Sequence, residues 1–445
     1  MSGLRFSTRA ALAWVLAAVL LVAAAVLLDV AARPPSGKTV VTVRLWDQQV
    51  AKAYRLSLAA FMKAHPDIDV QTDVVSYSTY FNTLRTDVAG GSADDIFWVS
   101  NAYLAGYADS NRLLDIGATF GPDIAATWES SVVQQFTRHG TLWAVPQLTD
   151  GGIALYYNAD LLAAAGVDPA ALSTLHWGAG DDDTLRPLLA HLTVDVDGHT
   201  ADTPGFDPNR IRRWAYNAAN DPQGIYLNFI GSAGGAFEDG DRFVFDNPAA
   251  VEAFTYLVTL INHDHVAPPA SDTNENGDFS RNQFLAGKMA LFQSGTYNLA
   301  AIAGQAAFRW GVAILPSGPK GRVSVTNGIA AAGNAASPHP AAVRQVLAWM
   351  GSTEGNQYLG RQGSAIPAVT AAQKTYFDHW LSKGVDVTPF FDVLNGPRIA
   401  APGGAGYAAG NQAIKPYFDE MFLGRSDVAT TLRRAQDAAN AAARR

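Results

Sequence analysis

After Lys38 the chain alternates strand and helix signals, and this alternation limits the available folds more than any other feature of the sequence. Val40-Val41-Thr42-Val43-Arg44-Leu45-Trp46 is a short β-branched run of the kind that forms a strand. Ala51 to His65 carries apolar Tyr54, Leu58 and Phe61 at helical spacing, and Pro66 stops it. Ile68 to Val74 alternates as a second strand. Tyr80 to Val88 reads as a helix closed by Gly90-Gly91, and Asp95-Ile96-Phe97-Trp98-Val99 as a buried third strand. Strand, helix, strand, helix, strand is the pattern of an α/β layer with a parallel sheet. Ligands of such sheets sit beyond the carboxyl ends of the strands. Three segments take that position: Asp47-Gln48-Gln49, Ser76-Tyr77-Ser78 and Ser100-Asn101.

Further along, Gly140 to Asn158 reads as a connecting strand, and the Asp-, Gly- and Pro-rich stretch from Asp181 to Asp207 as a loop or hairpin insert. Glu252 to Ile261, Ala341 to Met350 and Thr430 to Ala443 read as helices. With 445 residues the chain is long enough for two or three domains.

The N-terminus sets the compartment. Arg5 and Arg9 precede an uncharged run from Ala10 to Leu28, and Asp29 ends it. A run of about 20 apolar residues spans a bilayer as a helix, and the two arginines favour leaving the N-terminus in the cytoplasm. Two readings stay open. Val30-Ala31-Ala32 is a small-residue cleavage pattern, as in a signal peptide, whereas the length of the run suits an uncleaved anchor. Either way residues 39–445 are expected outside the cell membrane, after a short stiff linker at residues 33–38.

Composition removes several function classes. Lys plus Arg is 32 and Asp plus Glu is 40, a formal net charge of −8, with 48% hydrophobic residues. That is not the balance of a disordered chain, and no stripe of basic residues marks a nucleic-acid binder. The absence of cysteine excludes disulfides, cysteine zinc sites, thiol catalysis and a lipobox. Neither an H-E-x-x-H nor a G-x-S-x-G motif occurs, which disfavours a zinc protease and an α/β-hydrolase. His263-Asp264-His265 offers two metal ligands without an evident third, and otherwise reads as a solvated helix end. Asp272-Thr273-Asn274-Glu275-Asn276-Gly277-Asp278 opens like a calcium loop. Its twelfth position is Gln283, which lacks the bidentate carboxylate, and the competing reading is a turn that caps the next helix. No cofactor is called for.

Asp95-Ile96-Phe97-Trp98-Val99-Ser100-Asn101, Gly106-Tyr107-Ala108-Asp109-Ser110 and Leu113-Leu114-Asp115-Ile116 together resemble maltose-binding protein and its relatives, the family 1 extracellular solute-binding proteins of ABC importers. The resemblance continues in order. Trp143-Ala144-Val145-Pro146 and Leu155 to Leu162 match the family's crossover segment. Gly234-Gly235-Ala236-Phe237, Phe284 to Leu291, Trp310 to Pro316, Asn334 to Pro338 and Thr353-Glu354-Gly355 follow. Within the family the chain is similar to actinobacterial sugar binders, the amino-sugar-binding UspC group. The resemblance implies a two-lobed α/β fold of the periplasmic-binding-protein type (type II), with crossing hinge strands. Lobe 1 is expected over 39–150, with about 300–350 returning to it, and lobe 2 over 151–299, with about 351–445 returning. It further implies a solute held in the cleft, trapped by hinge closure and delivered by a monomeric receptor to permease subunits.

Sugars are bound by aromatic faces and a few convergent polar groups. By motif, Trp98 and Asn101 match a family tryptophan and a family acidic ligand residue, with an amide here in place of the acid. The competing reading of Trp98 is a core aromatic on a buried strand. Asp47 and Gln48 follow the first strand, where the family places polar ligand groups, or they cap the next helix. Tyr77, after the second strand, is placed to line the mouth. Asp150-Gly151 precedes the crossover strand, with Asp150 the preferred acceptor for a ligand amine. Gly295-Thr296-Tyr297 matches the family's glycine-then-aromatic stretch, which makes Tyr297 the stacking candidate. Tyr226 lies before Gly234-Gly235, in a loop that carries ligand contacts in relatives.

The C-terminal part departs from the maltose binders. A Gly-rich run with Tyr407 replaces their stacking tryptophan, and Arg398 precedes it, where glycerophosphodiester binders contact phosphate. The rival readings are a glycerophosphodiester receptor, a secreted glycosidase with two cleft carboxylates, and a sensory ectodomain.

Overall fold

The computed structural model describes residues 37–444. The run from Ala10 to Leu28 lies outside them, and among the described residues no helix is long and apolar enough to cross a membrane.

The first lobe follows the alternation. Strand β1 (Thr39–Leu45) buries Val41, Val43 and Leu45 completely and turns its other residues outward, the period-2 pattern of a strand under a helical layer. Helix α1 (Gln48–Ala64) starts where Asp47 accepts the N–H groups of Gln49 and Val50, as an N-cap does. Strand β2 (Ile68–Val74) and helix α2 (Tyr77–Gly90) follow, and α2 ends on Gly91 at φ 74°, a left-handed position that glycine fills without steric cost. Strand β3 (Ile96–Ser100), buried along its whole length, leads into helix α3 (Asn101–Asp109). Arg44 locks this layer: its Nε lies 2.5 Å from Asp94 and its Nη1 2.6 Å from Asp87.

The segment expected as one connecting strand holds a short hairpin arm at Thr141–Leu142 and then two longer strands, β4 (Val145–Thr149) and β5 (Ala154–Asn158), divided by Asp150-Gly151-Gly152-Ile153 where the chain crosses between lobes. Nor is the 181–207 stretch purely loop. It holds helix α4 (Leu185–Leu192), whose Leu185, Leu189 and Leu192 reach the core; helical leucine spacing there overrides a loop-like composition. Helices α5 (Pro248–Asn262) and α6 (Phe279–Leu285) precede strands β6 (Leu291–Ser294) and β7 (Trp310–Ile314). Strand β8 (Ser324–Thr326) then leads back to β9 (Gly328–Gly333), α7 (Pro340–Met350), α8 (Thr353–Arg361) and β10 (Ile366–Pro367). The chain closes with α9 (Lys374–Ser382), β11 (Arg398–Ala400), α10 (Tyr407–Phe422) and α11 (Val428–Ala443).

The first sheet has the order β10-β4-β9-β3-β1-β2, and the second β6-β5-β7. This moves the expected boundaries. The return to the first lobe begins at Gly328, not near residue 300, because β7 pairs with β5 in the second sheet. It runs past residue 350, because β10 pairs with β4 and α8 packs on α1, where Ser57 Oγ donates to Gly355 O. Each sheet has its own core. The second sheet is covered on both faces: Leu155 and Leu291 join the larger cluster, while Ala154, Tyr156 and Phe292 join another with Tyr376, Trp380 and Phe390.

The crossing segments bond to one another. Asp150 N donates to Asn327 O at 2.9 Å, and Ile153 N to Ser324 Oγ at 2.8 Å. Beside them β8 pairs in parallel with β11.

Candidate functional site: the interlobe cleft

The carboxyl ends of β1, β2, β3 and β4 share one edge of the first sheet, because β9 runs antiparallel to both β3 and β4. The residues just past those ends are Trp46 and Asp47, Tyr77, Asn101, and Asp150. An aromatic wall stands there. The Trp46 ring lies 4.8 Å from both Tyr80 and Trp98, 5.3 Å from Phe81 and 6.0 Å from Tyr77, while Phe81 stacks on Tyr103 at 4.0 Å.

The second lobe meets this edge with Asp221, Gln223 and Tyr297. Asp221 accepts the N–H of Gly224 at 2.9 Å and so caps the π-helical turn Pro222–Tyr226. Gln293, fully buried, holds that turn: its Nε2 donates to Gly224 O at 2.7 Å, and its Oε1 accepts the Tyr216 hydroxyl at 2.5 Å. The turn in turn presents Gln223, whose Nε2 donates to Asp150 Oδ2 at 2.8 Å.

Electrostatics tie the two sides to one space. Burial pushes the Tyr77 phenol up to about 12, and Tyr103, Asp221 and Asp150 add to the rise. Tyr77 is nonetheless 64% exposed. An open cleft reconciles the two: water reaches the ring, while protein walls on both sides and two negative charges disfavour a phenolate. The Tyr297 phenol is raised by burial as well, with Asp221 and Asp150 again contributing, so the same carboxylates face a tyrosine from each lobe. Burial lifts the Asp150 carboxyl to about 7 against the Gln223 hydrogen bond, and it lifts Asp221 against its two backbone N–H donors. Among the described residues, neither carboxylate has a cation partner within ion-pair distance. Asp47 is also raised by burial, and Arg281 of α6 opposes that rise from across the cleft.

The arrangement brings aromatic rings of both lobes and two buried carboxylates without cation partners, among the described residues, within electrostatic reach of one another. It is suited to a polar ring that carries hydroxyls and positive charge.

The profile of bacterial extracellular solute-binding proteins matches residues 46–357. The chain belongs to this family. The structure superposes on that of UspC from M. tuberculosis with a TM-score of 0.74 and 74% sequence identity, over 91% of this chain and 100% of the other. A substrate-binding protein from Listeria monocytogenes, solved in complex with cycloalternan, shares the fold with a TM-score of 0.77 at 20% identity, over 91% of this chain and 98% of that one. A probable ABC transporter-binding protein of Deinococcus radiodurans is 28% identical over 274 residues. That match spans 59% of this chain and 59% of the relative's length.

Not every sequence candidate of this solute-binding protein reaches the cleft. Tyr77, Asp150 and Tyr297 converge in it; Asp47 spends its Oδ1 on the cap of α1, and Gln48 is exposed at the first position of that helix. Trp98 does not reach it. The ring is fully buried, with Nε1 3.4 Å from the Tyr54 hydroxyl; it points into the sheet's core, and half-buried Trp46, one step past β1, takes the exposed place. Tyr226 is a core residue among Phe237, Phe254 and Phe418. Gly151, Gly295 and Thr296 serve packing. A Cβ on Gly151 would lie 3.1 Å from Thr296 and Phe390, and one on Gly295 would lie 2.3 Å from the Tyr297 ring.

Asn101 is spent on an interlobe contact, its Nδ2 donating to the carbonyls of Ala401 and Pro402, while its buried Oδ1 has no partner. Tyr407 is buried between Phe243 and Tyr103. Arg398 is exposed and donates to Leu394 O at 3.3 and 3.1 Å, so its guanidinium is held by its own loop. The residues that sequence reasoning missed are Trp46, Asp221 and Gln223. The Asp221-Pro222 pair does announce a capped helical start, but nothing local says which way it faces. Among the described residues, no group of three His, Cys, Asp or Glu is placed to hold a metal ion. Asp272 lies in a single helical turn, Ala270–Thr273, and the residues after it form turns, with Asn276 N on Thr273 O, ahead of α6.

Proposed function

We propose that this protein is the extracytoplasmic solute receptor of an ABC importer and that its solute is a carbohydrate bearing an amine. The observation that carries this reading is the pair Asp150 and Asp221, two carboxylates without cation partners lying between Tyr77 and Tyr297. A protonated amine supplies the missing charge, while aromatic faces from both lobes cover the sugar ring. Trp46 extends the wall on the first lobe. The protein acts as a monomer and performs no chemistry. It closes about the Asp150–Ile153 and Thr326–Gly328 crossings and presents the closed form to permease subunits. The N-terminal run exports it, as an anchor or as a cleaved signal. Arg398, held by Leu394 O, lends no support to a phosphodiester ligand.

The test is calorimetric titration with an amino sugar and its neutral hydroxyl analogue. Asp150→Asn is expected to weaken the amino sugar at least tenfold (about 1.4 kcal/mol) and the neutral sugar far less. Equal losses overturn the amine assignment. Turnover of a chromogenic glycoside would replace the receptor with a glycosidase.

A further inference from the structure

The short helix Leu227–Ser232 is buried along its whole length. Apolar side chains fill such positions at least cost, and a buried polar one must be hydrogen-bonded. Two of its side chains are polar, Asn228 and Ser232, both 1% exposed. They stand one turn apart on one face and meet alternate residues of the chain that returns to the crossing. Ser232 Oγ accepts Val323 N at 3.3 Å, and Asn228 Oδ1 accepts Val325 N of β8 at 2.9 Å. The approach is close: a Cβ on Gly231 would lie 2.5 Å from Val323 Cγ1. Among the described residues β8 pairs with β11 alone, so the helix serves N–H groups that a second strand would otherwise take.

Asn228 reaches the cleft turn as well. Its Nδ2 donates to Gln223 O at 2.8 Å and to Ile225 O at 3.3 Å, inside the π-helical turn Pro222–Tyr226. Turns of this kind are rare and recur at functional sites. This one carries Gln223, whose side chain donates to Asp150, while Asp150 N donates to Asn327 O, two residues beyond Val325. The bonds close a circuit: the Asp150 carboxylate to Gln223, the Gln223 carbonyl to Asn228, Asn228 to Val325, and Asn327 back to the Asp150 backbone. A hydrogen-bond donor fixed from behind in this way is held in register with its acceptor.

We propose, on the amine reading of the cleft, that Asn228 is a positioning residue. It holds the turn in register with β8, so that Gln223 meets the Asp150 carboxylate and the cleft keeps its preference for a positively charged ligand. The Gln223 bond favours the ionised carboxylate against burial, and an ammonium group pairs with that form.

The test follows the Asp150 carboxyl by NMR through a pH titration of the full chain in detergent. The aspartate carboxyl carbons are labelled, and the Asp150 signal is identified by its loss in Asp150→Asn. The other titratable groups that face Asp150 are Tyr77, Tyr297 and Tyr376, phenols that burial keeps protonated throughout, and Asp221, which gives its own signal. Wild type is expected to titrate at about 7. Asn228→Ala is expected to titrate about one pH unit higher, the size of a lost hydrogen bond to a charged group. It is expected to bind an amino sugar roughly fivefold more weakly at pH 7, a ratio that closes above about pH 9 as both carboxylates ionise. Asn228→Ser keeps an acceptor for Val325 N and is expected to shift the same way, so a folding defect of Asn228→Ala leaves the test in place. Ser232→Ala gives up a bond to the same chain segment without touching the turn, and is expected to melt lower yet titrate as wild type does. The positioning role is overturned if the Asn228 variants titrate as wild type does, or if Ser232→Ala shifts the midpoint as far. If they shift the midpoint while wild type binds the amino sugar and its neutral analogue alike, the positioning of Asp150 stands and the amine reading falls.

Discussion

Burial keeps the proton on Asp150 up to about pH 7, even though Gln223 donates to the carboxylate. An unfolded chain releases that proton near pH 4. Between those values the folded state holds more protons than the unfolded state, so this residue lowers stability progressively as pH rises from about 4 to about 7 and by a constant amount above. The accumulated cost at pH 8 is on the order of 2–4 kcal/mol. Asp150→Asn removes the charge and keeps the shape. It is expected to melt higher than wild type at pH 8, with the gain shrinking toward pH 5 in a series of thermal melts. A gain that is flat across pH would mean that the carboxyl is not desolvated. The same reasoning gives the carboxylate its use, since a residue that costs stability when empty is satisfied when a ligand amine supplies the counter-charge. Asp150 was singled out through the family resemblance, which places a polar residue just before the crossover strand, and not from any local pattern of its own. Trp98 and Trp46 show the limit of such reading. Both are tryptophans near strand ends, and only the position along the pleat, inside β3 for one and just past β1 for the other, decides which ring meets the cleft.

At the scale of elements, the alternation of β1 to β3 was plain from periodicity, since each strand and helix buries one face locally. Where the chain changes lobe was not, because that depends on pairings between residues far apart, such as β7 with β5 and β10 with β4. The crossing itself depends on two glycines. Gly152 N donates to Phe390 O at 2.6 Å, and a Cβ placed there would lie 2.2 Å from Val393 Cγ1 and 3.0 Å from that carbonyl. One wall of the clash is backbone, so relief by a rotamer change is limited. Gly152→Ala is expected to destabilise the protein by about 1–3 kcal/mol, the usual range for overpacking, read as a lower urea midpoint with an unchanged slope. Gly106→Ala is the control: no heavy atom lies within 4 Å of its added Cβ, and the site is helical, so it is expected to be neutral or mildly stabilising.

For the whole molecule, the question is what holds the lobes at their present separation. Residues 401–405 act as a strap. Their N–H groups bind the second lobe, Gly403 and Gly404 to Glu238 and Ala405 to Asp241, while the carbonyls of Ala401 and Pro402 accept Asn101 of the first lobe at 3.2 and 3.1 Å. Tyr103 and Tyr407 meet edge to face beside this contact, 6.4 Å apart. Each neutral hydrogen bond contributes about 0.5–1.5 kcal/mol net, and the unpartnered Oδ1 of Asn101 subtracts from that sum. The latch thus biases the lobes toward one another by about 1–2 kcal/mol, or roughly 5- to 30-fold in the ratio of joined to parted forms. That is enough to favour closure and too little to enforce it, as a receptor that must release its solute requires. Asn101→Ala removes both donors together with the orphan oxygen. Small-angle scattering of the unliganded variant is expected to show a larger radius of gyration than wild type. Saturating ligand is expected to restore the compact form in both, with affinity reduced about 5- to 30-fold, because the ligand must then supply the closure free energy alone. An unchanged radius with unchanged affinity would mean that the strap only finishes the surface of the second lobe, and that closure is set at the crossing strands.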